Sequence, residues 1–203
     1  MPRIPLPGPE EMSPAQRRVH DAVVSGPRGT LIGPLRAAIH NPELAERWSA
    51  LGEILRFRTS LPKRLSELAI LVTGRRWTSQ VEWWVHARAA AEAGLAPEAI
   101  EAMRQGQAPV FERREEALIY RFARALQQSG DVPREIYDDA VAQFGVAGVV
   151  ELTALIGYYT MVSMTLNAHE IPLPEGVTAP LEAPIRGGLY ELPELAATTE
   201  ARS

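Results

Sequence analysis

The chain has 203 residues, of which 46% are hydrophobic, a formal net charge of −4 and no cysteine. This length supplies one substantial core and is short for two full domains. The absence of cysteine excludes disulfides, thiol catalysis and cysteine-based metal sites. The mild acidity argues against a nucleic-acid surface or a surface for anionic lipid. No apolar signal segment follows the first residues, so we expect a cytoplasmic protein.

Proline separates two extended arms from a helical body, because five of the 17 prolines fall in residues 1–14 and five more in residues 170–203. We expect an extended N-terminal arm over residues 1–12, one all-α domain over 13–170, and an extended or partly disordered tail over 171–203. Residues 191–203 have little apolar surface to bury and are expected to be disordered.

Start and stop signals divide the body into seven to nine predicted helices. Ser13 and Gln16 form a capping box, with Pro14 at the first helical position. Further helices are expected to begin at or near Asn41, Pro62, Ser79, Pro97, residue 112, Pro133 and Val146. No strand pair, glycine-rich phosphate loop or heptad run is found, so the predicted fold class is all-α. The apolar stretch from Glu151 to Asn167 is too short to span a bilayer and indicates a buried core helix.

Polar side chains border apolar faces on two consecutive predicted helices. Glu82 and His86 are four residues apart, so one lies above the other. Ala89, Ala90 and Ala93 continue that line, which indicates a crevice between helices. Glu67 borders the apolar stripe of the preceding helix and could share a proton with Glu82. A carboxylate beside an imidazole orients the ring and raises its basicity, as general acid–base catalysis requires.

Each of these residues also has a structural interpretation. Ser79 and Glu82 fit a capping box, in which the carboxylate binds the backbone at the helix start. His86 could be a core histidine with one hydrogen bond, and Glu67 could pair with Arg64 one turn earlier. A metal site of Glu67, Glu82 and His86 would have few ligands, and no metal is expected.

At this point the sequence resembles a known family. Residues 64–70 (RLSELAI), 82–87 (EWWVHA), 93–95 (AGL) and 98–100 (EAI) resemble the carboxymuconolactone decarboxylase family, which includes the alkylhydroperoxidase-like proteins. Residues 55–62, 157–167 and 171–174 resemble flanking segments of its longer members. The resemblance implies an all-α fold of the alkylhydroperoxidase-like type, built on an antiparallel pair of core helices. It also implies assembly as a trimer or hexamer.

The resemblance further implies which chemistry is retained. In the peroxidase branch of the family, a pair of cysteines occupies the positions of Ser79 and Glu82. Neither residue can form the required disulfide, so thiol peroxidase activity is excluded. Glu67 and His86 match the retained members of the proton relay. The decarboxylase branch removes CO2 from γ-carboxymuconolactone without a cofactor, and that resemblance implies Glu67, Glu82 and His86 as catalytic residues.

Five further residues are candidates for binding the substrate: Arg56, Arg58, Trp83, Tyr158 and Tyr159. Either arginine could hold a substrate carboxylate with two hydrogen bonds, or could form an ordinary surface or intersubunit salt bridge. The tyrosines could reach the crevice from the long apolar helix, or be buried with a satisfied hydroxyl. Trp83 could line the site or anchor the core.

Two functional hypotheses follow. In the first, the chain is a cofactor-independent lyase that acts on a small anionic substrate, an unsaturated lactone or keto acid, by proton transfer through Glu67, Glu82 and His86. In the second, it is a non-catalytic oligomer that binds a small ligand. A catalytic site predicts a cavity at these residues and a perturbed pKa, whereas a structural role predicts complete hydrogen bonding and no open volume.

Overall fold

The computed structural model describes residues 1–27, 29–182 and 188–196, and within these ranges it contains helices and no strand. This confirms the predicted all-α class. The helices are α1 (Pro14–Ser25), α2 (Leu35–Ala38), α3 (Pro42–Phe57), α4 (Lys63–Arg76), α5 (Gln80–Glu92), α6 (Pro97–Arg104), α7 (Arg114–Ser129) and α8 (Arg134–Ala168). A short 3-10 helix, Pro9–Glu11, precedes α1.

Several helix ends form for the predicted reasons. Ser13 and Gln16 form the expected capping box, with each side chain bound to the other residue's backbone N–H. The side chain of Asn41 accepts a hydrogen bond of 3.2 Å from a backbone N–H in the first turn of α3. Gly145 separates two segments of α8 by a kink with φ 71°, a conformation that glycine adopts without strain. The break predicted at Gly145 is therefore present, and α8 consists of the two predicted helical segments on either side of it.

Helix α4 is the centre of the fold and packs against α5, α7 and α8. Every residue from Leu65 to Arg75 is buried, so α4 is enclosed on all sides. A helix buried all round is expected to be apolar throughout. Any ionised side chain on α4 therefore needs a partner from a neighbouring helix, and this requirement determines the surroundings of Glu67.

Helix α8 is the longest element, with 35 residues. It is the one helix in the described part of the chain that is long and apolar enough to cross a membrane. Length and composition alone do not separate a membrane span from the core helix of a soluble protein. Leu152, Leu155 and Ile156 on its inner face belong to the core, as predicted for this helix.

The C-terminal segment is extended and packs along the body. Two of its leucines, Leu181 and Leu192, are buried. The side chain of Arg124 donates to the carbonyl of Leu192 at 2.8 Å, and Arg76 donates to the carbonyl of Tyr190 at 2.7 Å. The prediction that the chain from residue 191 onward has little to bury is wrong at Leu192. Residues 197–203 lie outside the described residues.

Candidate functional site

The centre of the candidate site is a histidine held between two carboxylates. Glu67 lies on α4, whereas Glu82 and His86 lie on α5. Nδ1 of His86 is 2.6 Å from Oε2 of Glu67, and Nε2 of His86 is 3.3 Å from Oε2 of Glu82. Helices α4 and α5 lie close together at Gly74, where a Cβ would be in ordinary van der Waals contact with the Cβ of Glu82 at 3.6 Å.

All three side chains are withdrawn from solvent. Their exposed fractions are 3% for Glu67, 3% for His86 and 7% for Glu82. Burial is the largest single influence on the ring and lowers the pKa of His86. The hydrogen bonds and charges of Glu67 and Glu82 outweigh it, so the net effect raises the pKa of His86 above its ordinary value. The ring therefore carries its proton more readily than a free imidazole at neutral pH.

The structural alternatives for the two carboxylates do not describe this arrangement. Ser79 is the N-cap residue of α5, but its side chain makes no capping hydrogen bond, so the capping box with Glu82 is absent. Arg64 pairs with Glu115 at 3.0 Å and with Glu116, and not with Glu67. Both carboxylates of the site are consequently directed at the imidazole.

A cavity of about 50 Å³ opens beside this group. Glu82 and His86 line it, whereas Glu67 lies behind the ring and does not. Oε2 of Glu82 is enclosed and has no hydrogen-bond partner within the described part of the chain other than Nε2 of His86. Ile32, of which 46% is exposed, also lines the cavity and marks its solvent side. The three titratable groups thus form a row that begins in the core and ends at an accessible volume.

The two candidate arginines have different surroundings. Arg56 lines the cavity and lies 5.3 Å from the ring centroid of Phe57. No carboxylate of the described residues forms an ion pair with Arg56. Arg58 is exposed and forms a surface salt bridge of 3.1 Å with Glu53. Arg56 therefore has a charge available to a ligand, whereas Arg58 has the alternative role of a surface ion pair.

The three aromatic candidates also differ in position, since two of them line the cavity and one does not. Tyr158 and Tyr159 line the cavity, and the ring of Tyr159 meets His86 edge-on with centroids 5.0 Å apart. Burial, reinforced by the charge of Glu82, raises the pKa of Tyr159 well above its ordinary value, so its hydroxyl remains a hydrogen-bond donor. Trp83 is buried in the core and is not among the cavity-lining residues.

Other lining residues were not predicted from the sequence. Val81, Val85 and Val162 line the cavity beside the predicted residues. Val85 is three residues after Glu82 and Val162 is three residues after Tyr159, so helical spacing could have identified these two, because positions three or four apart share a face. Val81 is one turn before Val85 and adjoins Glu82 in the sequence. The loop of Ile32, Gly33 and Pro34 also contributes, and its sequence carries no signal that would bring it to α5.

This arrangement is suited to moving a proton and less suited to holding a metal. Both ring nitrogens of His86 face carboxylates, so neither is directed at an open coordination position. Among the described residues, no group of three acidic or histidine side chains has the arrangement of a metal site. A carboxylate, an imidazole and a second carboxylate in a row can carry a proton between the core and the cavity.

Comparison with known proteins supports the resemblance seen in the sequence. Residues 42–125 match the model of the Carboxymuconolactone decarboxylase family. This range contains α3 to α6 and most of α7, and therefore Glu67, Glu82 and His86. No curated protein matches the chain.

Solved structures share the fold at low sequence identity. An uncharacterized peroxidase-related protein from Silicibacter sp. TM1040 has a TM-score of 0.66 at 15% identity, with 84% of this chain and 91% of that chain covered. An alkylhydroperoxidase AhpD core protein from Ralstonia eutropha JMP134 has a TM-score of 0.67 at 13% identity, with 86% and 93% covered. The debrominase Bmp8, in complex with 2,3,4-tribromopyrrole, has a TM-score of 0.63 at 17% identity, with 82% and 88% covered. These likenesses confirm the alkylhydroperoxidase-like fold.

Proposed function

We propose that this chain, whose residues 42–125 match the model of the carboxymuconolactone decarboxylase family, is a cofactor-independent lyase that acts on a small anionic unsaturated lactone or keto acid. The observation that carries the proposal is the row Glu67–His86–Glu82, which ends at a cavity beside Arg56. A purely structural histidine would have both carboxylates satisfied and no open volume at Glu82. The enclosed oxygen of Glu82, which has only the His86 ring as a partner, and the adjacent cavity favour the catalytic hypothesis.

The chemistry requires little from the protein because an unsaturated lactone accepts electrons itself. The bond between the ring carbon and the carboxylate breaks, CO2 leaves, and the electron pair moves through the ring to the lactone carbonyl. One proton then adds to carbon and completes the balance. The protein has to desolvate the departing carboxylate, stabilise the enolate oxygen and supply that proton.

The side chains at the cavity can divide these tasks. The imidazolium of His86 stores the proton between the two carboxylates, and Glu82 is the last member of the row before the cavity. Glu67 lies behind the ring and orients it through the 2.6 Å hydrogen bond at Nδ1. The protonated hydroxyl of Tyr159 can donate to the enolate oxygen, and Arg56 can bind a second acidic group of the substrate.

The cavity volume limits how a substrate can bind. An apolar cavity of about 150 Å³ is large enough for benzene, and this one is about 50 Å³. A lactone ring therefore does not fit entirely within the closed volume. We infer that the reacting end enters beside Glu82 and His86, while the rest of the substrate lies at the open side near Ile32.

The test is the ultraviolet decay of γ-carboxymuconolactone with pure protein, with and without EDTA. Wild-type turnover should survive EDTA. Glu82→Gln keeps the shape of the side chain and should lower kcat by roughly 100-fold or more, and His86→Ala should remove turnover. If wild-type protein binds the lactone without converting it, the non-catalytic ligand-binding hypothesis replaces this one.

A matched pair of arginine variants tests the binding role separately. Arg56→Ala should raise KM by roughly tenfold or more, because it removes a charge–carboxylate contact in the cavity. Arg58→Ala removes only a surface salt bridge and should leave KM and kcat unchanged. Equal effects of the two substitutions would contradict the assignment of Arg56.

We also propose that the chain associates with a second copy of itself through the outer faces of α3 and α8. These helices pack together, and Ser60, just beyond α3, binds Glu151 of α8 at 2.6 Å. Their outer faces expose large apolar side chains: Leu44, Leu51, Ile54 and Phe57 on α3, and Val146, Val150 and Met164 on α8. With a rise of about 1.5 Å per residue and a width of about 10 Å per helix, the combined face covers on the order of 500 Å². This lies between the ~400 Å² per partner of a casual contact and the ~800 Å² of a standard interface.

Sedimentation velocity at micromolar concentration tests this association and counts the copies. Ile54→Glu combined with Val150→Glu should produce monomers, because it places charges on the apolar face. Val110→Glu is the control, since Val110 is exposed in the loop after α6 and lies off this face. A monomeric wild-type protein would overturn the proposal, and vesicle binding by that monomer would indicate that a membrane covers the face.

A further inference from the structure

Two buried hydroxyls near the proton-transfer row, those of Ser79 and Ser163, have no hydrogen-bond partner within the described part of the chain. Both serines have no exposed surface. Oε2 of Glu82 has no partner there other than Nε2 of His86, 3.3 Å away. Buried hydroxyls and carboxylates in native proteins are almost always paired, either with protein groups or with ordered water. The two hydroxyls therefore need a partner, and Oε2 of Glu82 can accept a second hydrogen bond.

The register of α5 against α8 brings two of these atoms to the same level. The ring of His86 meets that of Tyr159, and the carbonyl of Trp77, just before α5, accepts a hydrogen bond of 2.8 Å from Asn167 of α8. The helices therefore run antiparallel. Glu82 lies one turn before His86 on α5, and Ser163 lies one turn after Tyr159 on α8, so Glu82 and Ser163 lie at the same level.

The third helix at this level, α4, does not supply the missing partner. Gly74 faces Glu82 and has no side chain. The hydroxyl of Thr73 donates to the carbonyl of Ala69 at 3.0 Å and is 3.5 Å from the amide nitrogen of Gln127, so it is already engaged. Beyond the contact of Glu82 with His86, the free hydroxyls of α5 and α8 can be satisfied by each other, by a carbonyl of their own helix, or by a small polar molecule.

We propose that a buried water molecule lies between Glu82 and Ser163, with Ser79 as its third partner, and that Ser163 is a positioning residue of the proton-transfer row. This inference rests on the proposed function. Three polar partners are the number that buried waters typically have. Ser79 is available for this role because its hydroxyl does not cap α5. The water donates to Oε2 of Glu82 and fixes that carboxylate beside Nε2 of His86.

The first test is a high-resolution crystal structure of the native protein and of two variants. An ordered water should lie within hydrogen-bond distance of Glu82 and Ser163 in the native protein. It should be lost or displaced in Ser163→Ala. Thr153→Ala is the control on the same helix, since the hydroxyl of Thr153 is bound to the carbonyl of Val149 at 2.9 Å, and this variant should retain the water.

The second test is the titration of the His86 imidazole by NMR, which needs no substrate. The groups that face this ring are Glu67 from α4, Glu82 from its own helix and Tyr159 from α8, and Arg56 of α3 acts on Tyr159 from the same cavity. Loss of a donor to Glu82 makes that carboxylate a stronger acceptor for the imidazolium. The pH at the titration midpoint should therefore rise in the Ser163 variant by on the order of 0.5 and stay unchanged in the Thr153 control.

The outcomes are distinct. Direct bonding of the Ser163 hydroxyl to Glu82 or to a main-chain carbonyl, with no water between, would overturn the inference, as would an unchanged His86 titration. If Ser163→Ala does not fold, Ser79→Ala carries the same two tests. A native protein that holds the water but does not convert the lactone would keep the water site and remove only the proposed function.

Discussion

Removal of the His86 imidazole should destabilise the folded protein, because the two buried carboxylates depend on its positive charge. In His86→Gln, Glu67 and Glu82 remain in the core and lose the cation between them. Removing one partner of a buried ion pair leaves an uncompensated charge and costs about 3–5 kcal/mol. We expect a loss of that size in the free energy of unfolding, with little change in the helical content of the folded protein.

The effect has a defined pH dependence because the pKa of His86 is raised in the folded state. In the unfolded chain the imidazole titrates near its ordinary pKa of about 6.5. Above that pH the folded protein binds more protons than the unfolded one, so stability falls as pH rises. The contribution of His86 is therefore fully present below about pH 6.5 and is lost as pH rises through the raised pKa. A tenfold difference in proton affinity between the folded and unfolded states corresponds to about 1.4 kcal/mol of stability.

Urea unfolding followed by circular dichroism, repeated from about pH 6.5 upward, measures both effects. Wild-type stability should decline over this interval, and that of His86→Gln should not. Adding Glu67→Gln to His86→Gln should recover more than about 1 kcal/mol, because it removes one of the two opposed charges. The same decline in wild type and His86→Gln, or no recovery in the double variant, would refute the electrostatic explanation.

Three further expectations concern other parts of the chain. Glu67→Gln should lower the His86 titration midpoint seen by NMR, because its carboxylate raises the pKa of that ring, and a rise would contradict this. Tyr190→Ala should lower the melting temperature by several degrees, because the Tyr190 ring covers the buried guanidinium of Arg75 at 3.4 Å. Leu189→Ala changes an exposed position, and an equal effect of that substitution would contradict this prediction. Gly145→Ala should lower stability in urea, because φ is 71° there, and no loss would indicate that the kink is not required.

The sequence predicted helices best where the signal was local. The capping residues Ser13 and Asn41 and the break at Gly145 depend only on neighbouring residues, and each was found where expected. The four-residue helix α2 has no periodic pattern and was not predicted. Packing of Leu192 into the body depends on contacts with helices far away in the sequence, and composition alone suggested a disordered end.

The residues of the candidate site show the same difference between positions set by local sequence and positions set by packing. Glu82 and His86 are one helical turn apart, so their proximity follows from the helix alone. The approach of Glu67 and the cavity beside Arg56 depend on how helices pack. The place of Glu67 beside an apolar stripe suggested the first, and the resemblance to a family supported it. Ser79 shows how a local signal can mislead, because a capping box and an uncapped buried serine have the same sequence. The choice between them follows from His86, which draws the carboxylate away from the helix start.

The charges at the cavity affect both steps of the proposed reaction, the loss of CO2 and the protonation of carbon. Glu67, the imidazolium and Glu82 together carry one net negative charge, and Arg56 balances it. A bound substrate carboxylate therefore adds a negative charge to a site already neutral and largely shielded from water, where an uncompensated anion is costly. Release of neutral CO2 moves that charge from the carboxylate to the enolate, where it is spread over several atoms. Transfer of the stored proton to carbon then leaves the charge on Glu67 and Glu82 beside a neutral imidazole, until a proton from solvent restores the imidazolium. The localised substrate carboxylate is therefore the species that the shielded site disfavours most, and its conversion to a delocalised enolate relieves part of that cost.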